Sequence, residues 1–221
     1  MPSRARWAVL AVLFVVFGVT VLVAGQGGGV PVPAGTQRLG PEAGESVVGY
    51  LRRAGASLPA AGSGPVWALV QLDRYLAPEP AAELVQGVRP ARVILRVPLS
   101  RVQTALITQD LPGQRPVVEL ATAFQSAARD RLAASRAVPD GRAAAVAAAE
   151  AARLRAGCAC VLALLVLGDR DTLRSVAARP GVRTVQAALP DTPIQDLAVA
   201  PLLPEQAERA GPVPDDGPVP P

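Results

Sequence analysis

The uninterrupted apolar run from Trp7 to Ala24, WAVLAVLFVVFGVTVLVA, constrains this chain more than any other stretch, because it fixes the solvent on either side of it. The run is uncharged, about 18 residues long, and has Thr20 as its only polar side chain. As a helix rising about 1.5 Å per residue it reaches roughly 27 Å, close to the hydrocarbon thickness of a bilayer. It predicts a transmembrane anchor over residues 7–24. Arg4 and Arg6 precede the run and no charge follows it until Arg38. The positive-inside rule therefore puts residues 1–6 in the cytoplasm and the rest of the chain outside the plasma membrane. The rival reading is a cleaved signal peptide, with Val23 and Gly25 as the small residues of a cleavage site. Against it, the run exceeds the roughly 7 to 15 residues of a signal h-region. No Cys follows the run directly, so a lipoprotein is not expected.

Beyond the anchor, Gly25 to Gly40 combines glycines with a Val-Pro-Val-Pro step and predicts a spacer, a linker over 25–41. Residues 42–203 suffice for one domain with a real core. In the stretch after Glu42, Val47, Leu51, Ala54 and Leu58 are spaced as one buried helix face, with Gly55 and Pro59 as its stop.

Two phrases with the same element order follow. Val66–Asp73 is a strand signal, Pro78 to Val85 a short helix opened by proline, and Arg92–Pro98 a second strand. Cys158–Leu167, the helix Asp171–Arg179 and Val182–Ala188 repeat that order at an offset of about 92 to 94 residues. Two strand–helix–strand units can pair into one sheet, with Val66–Asp73 and Cys158–Leu167 as its central antiparallel strands and both helices on one face. The arrangement resembles the ferredoxin-like fold, βαββαβ, so the expected class is α+β. Between the halves, Leu99–Asp110 is either a sheet extension or a loop. Residues 114–156 predict an inserted helical hairpin: Val117, Leu120, Phe124, Ala128 and Leu132 on one helix, Val146 and Leu154 on an Ala-rich second one, and Val138-Pro139-Asp140 as turn and N-cap. Residues 204–221, ending GPVPDDGPVPP, predict a disordered tail of polyproline character.

Composition closes off several chemistries. The chain contains no His and no Lys, which removes Ser-His-Asp and Cys-His pairs, Schiff-base chemistry and a P-loop lysine. GQGGG at 25–29 follows an apolar span and opens no strand–turn–helix, so it does not predict a phosphate loop. With Arg4 and Arg6 set aside, the formal charge of +4 falls to about two. A pI near 10.0 then reflects Arg-only usage, not a basic face, and nucleic acid is not an expected partner. Asp169 and Asp171 bracket Arg170 after a strand and are expected as turn and N-cap residues, not as cation ligands.

No catalytic, cofactor-binding or metal-binding residue is assigned, and no cofactor is expected. The one pair of chemical interest is Cys158 and Cys160. At positions i and i+2 of a strand their Cα atoms would lie nearly 7 Å apart, beyond disulfide range. The favoured expectation is two buried thiols; a bridge requires a kink, for which Gly157 offers a place. Two functions stand. One is a membrane-tethered, non-catalytic extracytoplasmic binding or regulatory module that meets another envelope protein or a ligand through the hairpin or the sheet face. The other is a secreted or anchored envelope enzyme using carboxylates or the Cys pair. The pattern VILRVPLSRVQT, then RAGCACVLALLVLGDRDTLRSVAARPGVRTV and PLLPEQ, resembles an uncharacterised family of single-pass membrane proteins of high-GC Gram-positive bacteria. That resemblance implies a membrane address and no activity.

Overall fold

The computed structural model describes residues 36–61, 64–137 and 141–220. The expected anchor over 7–24, the cytoplasmic residues 1–6 and most of the expected linker lie outside them. Among the described residues no helix is long and apolar enough to cross a membrane. Residues 35–221 form one unit of mixed α+β structure.

The sheet is built from the two phrases. Strand β2 (Val66–Leu76) and strand β5 (Val161–Gly168) are its central antiparallel pair, in a register that puts Val70 beside Leu164. Strand β6 (Val182–Ala187) flanks β2 and strand β3 (Arg89–Leu95) flanks β5, both antiparallel, so the two units interleave. Strand β4 (Ile107–Asp110) adds an outer edge beside β3, and the order is β4-β3-β5-β2-β6. The ambiguous stretch Leu99–Asp110 is thus both things: a loop to Leu106, then a strand.

One face of the sheet carries Val66, Ala68, Val70, Val93, Val161 and Val166 into the main core. It is covered by the crossover helices α2 (Pro78–Leu84) and α5 (Arg170–Ala177), and by the pair α3 (Pro116–Ala137) and α4 (Arg142–Arg155), in chain order. The opposite face carries Leu69, Ile94, Leu162 and Leu165. Short strands β1 (Gln37–Leu39) and β7 (Leu197–Val199) pair in parallel across it, and Leu203 and Val213 continue the cover. Burial on both faces explains why the central strands read as unbroken apolar runs and not as alternating ones.

Helix α1 (Val47–Ala60) closes the β6 edge. Its N-cap Ser46 accepts from Gly49 N at 3.2 Å, and Ser57 Oγ accepts from the edge amide of Ala187 at 2.7 Å. The helix runs through Gly55, because burial of Leu58 outweighs a glycine penalty of about 1 kcal/mol, and ends at Ala60, one residue beyond the expected stop at Pro59. Its inward face is Val47, Tyr50, Ala54 and Leu58; Tyr50 replaces the expected Leu51, which is half-buried.

The hairpin is a structural part of the main core, not an appendage. Leu120 and Phe124 of α3 and Leu154 of α4 are buried in it. Ala123 and Ala127 take the inward places expected of Val117 and Leu132, because two Ala-lined helices approach closely. The expected N-cap Asp140 lies outside the described residues, and Gly141 precedes α4.

Two boundaries are corrected. The spacer does not extend to residue 41: Gln37–Leu39 is β1, and Leu39 is fully buried. Gly40, at φ +127°, lets the chain pass Ala200, whose carbonyl a Cβ would meet at 1.8 Å. The tail after residue 203 is not a disordered appendage either. Pro204–Pro220 lies along the domain in extended form, held by ion pairs from Asp215 and Asp216 and by packing of Val213 and Val219.

Candidate functional site

The disulfide comes first because the sequence singled it out. Cys158 and Cys160 are joined, with their Cα atoms 5.3 Å apart. The expectation of two free thiols assumed that both belong to a strand. Strand β5 begins only at Val161, and Gly157, at φ +71°, turns the chain into a tight loop that brings the sulfurs together. The bridge faces the helical layer: Cys160 is buried and Cys158 partly so. It stands as a clasp at the entrance to the central strand.

Asp169 is the N-cap of α5. Its Oδ1 accepts from Thr172 N at 2.9 Å and from Asp171 N at 3.0 Å, and the Thr172 amide above all holds its carboxyl below the usual range. Among the described residues no group of three or more Cys, Asp or Glu is placed to hold a metal ion.

The polar chemistry gathers on the other face of the sheet, under the extended cover. Gln71 of β2 and Gln186 of β6 point to this face, and Tyr50 of α1 bridges them. Gln71 Nε2 donates to Tyr50 Oη, which donates to Gln186 Oε1 at 3.0 Å. The remaining acceptors serve the covering chain: Gln186 Oε1 takes Gly40 N at 2.8 Å, and Gln71 Oε1 takes Leu202 N at 2.6 Å. Buried side-chain amides thus satisfy backbone donors that have no ladder partner. Burial pushes the Tyr50 phenol up to about 12.

At the far end of the same face Arg96, just after β3, is only 3% exposed. Its Nη1 donates to Tyr75 Oη at 2.5 Å and to Glu205 Oε1 at 2.5 Å, and Tyr75 Oη donates to Glu205 Oε2 at 3.0 Å. Burial pushes the Tyr75 phenol up to about 12 as well. Arg96 and Val213 form a shared wall between two cavities. The first, of about 360 Å³, lies between the loop after β1, the loop before β4 and the C-terminal segment. The second, of about 450 Å³, lies over Tyr75, Arg74 and Arg101.

The sequence did not point to this arrangement. Its only local signals were Gln71 and Arg96, each a polar side chain within an expected apolar strand. The three partners of Arg96 and Gln71 that matter most, Tyr50, Leu202 and Glu205, come from segments far away in the chain. Nor did the sequence disclose Glu150, fully buried on α4, which accepts from Arg131 Nε at 2.5 Å and from Ala105 N at 2.6 Å and so ties the hairpin to the loop before β4. Compared with protein-family models, with curated proteins and with solved structures, the chain matches none.

Proposed function

We propose that this chain is a membrane-tethered, non-catalytic binding or regulatory module, held by residues 7–24 with its α+β domain outside the plasma membrane. The order β6-β2-β5-β3, with both crossover helices on one face, supports reading the domain as ferredoxin-like, with α3 and α4 as the inserted hairpin and β4 as an added edge. A place among single-pass membrane proteins of high-GC Gram-positive bacteria is part of the same proposal.

The observation that carries the non-catalytic reading is that five carboxyls are engaged in bonds that hold the fold together and favour their charged form. Glu45, Glu119, Asp169, Asp215 and Asp216 are all shifted down: Glu45 by Arg53, Glu119 by the amides of 113–115 against a burial that opposes them, Asp169 by the Thr172 amide, Asp215 by Arg142, Asp216 by Arg101. A general acid needs the opposite displacement, toward neutrality. Among the described residues the buried charged side chains, Arg96 and Glu150, are bound in pairs that hold segments together.

The partner is another envelope protein, and the outward side of the hairpin is the surface left for it, since β1, β7 and the segment after residue 200 cover the second sheet face. Val117 and Val118, 48% and 53% exposed at the start of α3, are its apolar points. Membrane fractionation with external protease tests the tether: cleavage beyond Gly25 in a membrane-bound product is expected, and a soluble product beginning near Gln26 would overturn it. A photo-crosslinker at Val118 should capture one envelope protein, and V117D/V118D should abolish the capture. Turnover of a small substrate by the purified chain would replace the module with an enzyme.

A further inference from the structure

The cavity of about 360 Å³ holds one cationic side chain whose chemistry the fold does not use. Its walls are mainly apolar, with Pro41, Leu106, Leu203 and Val213 among them. The other side-chain donors that line it are each already bonded to the protein. Arg96 is paired with Glu205, Gln103 Nε2 donates to Val213 O at 2.8 Å, Thr104 Oγ1 donates to Val97 O at 2.7 Å, and Gln206 Nε2 donates to Gly211 O at 2.5 Å. Each of those bonds holds a wall in place. Arg38 is different: no hydrogen bond or ion pair engages its guanidinium among the described residues, and although its Nε is shielded the residue is only half-buried, so the outer nitrogens of the fork are what the cavity meets.

Strand β1 explains why Arg38 is there. Leu39 is turned onto the sheet and fully buried, so Arg38, one residue earlier, is turned to the other side, where the loop before β4 and the C-terminal segment meet. We infer that this cavity is a binding site for a small organic monocarboxylate with an apolar body, whose carboxylate is received by the Arg38 guanidinium. The planar fork of Arg matches a carboxylate, and the surrounding prolines and leucine side chains fit an aliphatic or aromatic remainder. Exposed Glu42, on the same lining, disfavours a dianion such as a phosphate ester. The inference rests on the binding-module reading and gives it a ligand class.

The test uses the full chain in phosphatidylcholine nanodiscs, titrated calorimetrically against empty discs with three probes of one shape: 4-tert-butylbenzoate, 4-tert-butylbenzyl alcohol and 4-tert-butylbenzylammonium. The benzoate should bind more tightly than the alcohol by about tenfold or more, as a hydrogen bond to a charged group implies, and the ammonium should not bind. Arg38→Gln, which leaves every recorded hydrogen bond of the fold intact, should reduce the benzoate to the affinity of the alcohol. Arg92→Gln, at a surface ion pair with Asp110, should leave it unchanged. Equal binding of benzoate and alcohol, no binding of benzoate, or retention of the preference in Arg38→Gln overturns the site. None of these results touches capture of an envelope protein through Val118, so the cavity and the module can fail separately.

Discussion

The two faces of the sheet are covered by different kinds of chain, and their interiors differ accordingly. Helices α2 to α5 cover one face with side chains that are almost wholly apolar, because a helix satisfies its own backbone. The other face is covered by β1, β7 and the segment after residue 200, extended pieces whose amides have to find acceptors elsewhere. Gln186 and Gln71 supply acceptors to Gly40 and Leu202 of that cover, and Arg96 with Glu205 fastens its end. Extended chain also packs less evenly than helices, and the two cavities beside Arg96 lie under it. The helical side supplies most of the apolar core, and the strapped side holds the buried polar groups and the two cavities beside Arg96.

Four measurements can break or sharpen this contrast. Phe124→Ala, on the helical side, should cost about 3 to 5 kcal/mol by denaturant unfolding of the domain. If it costs no more than a change on the strapped side, the contrast in packing is wrong. Glu205→Gln, which removes the anionic partner of buried Arg96, should cost about 1 to 3 kcal/mol, less than breaking a fully buried pair because Glu205 is 41% exposed. No change in the unfolding midpoint would return the segment after residue 203 to the role of a loose tail.

The disulfide closes so short a loop that its reduction should lower stability by less than about 2 kcal/mol. Intact mass under non-reducing conditions should be lower than that of the dithiol by two hydrogens. Finally, Tyr50 and Tyr75, the chain's only tyrosines, should both remain neutral in the folded state until about pH 12. An unfolded phenol titrates near about 10. The folded pKa is raised, so the contribution to stability is complete below about pH 10 and is lost as pH rises through about 12. Ultraviolet titration of the phenolate reads this directly, and ordinary ionisation near pH 10 in the folded protein would contradict the burial of both rings.

Much of the helical side was legible in advance. Its elements carry periodic apolar residues, prolines at helix starts and an Asp cap, all signals within a few residues of one another. Tyr50 displaced Leu51 from the α1 face because the place of a ring that also donates a hydrogen bond depends on Gln71 and Gln186, which are distant in sequence. The expected strand starts at Cys158 and the observed one at Val161, because the left-handed turn at Gly157 curls the chain before it joins β2 and β3. The strapped side was scarcely legible at all. Three residues pair in parallel with three others about 160 positions away, and a proline-rich segment carries no period that would announce where it docks.

What the sequence determined by itself is local. Unbroken apolar runs became the central strands, and helix-spaced residues became the cover of one face, because periodicity and capping act between near neighbours. The absence of His and Lys limits the chemistry whatever the fold. The tertiary structure alone decided that β1, β7 and the segment after residue 200 close over the second face, that Arg96 is buried with Glu205 and Tyr75, and that Arg38 is left beside a cavity without an acceptor at Nε. Those outcomes depend on which distant donors and acceptors meet when water is excluded, and no local pattern encodes such a meeting.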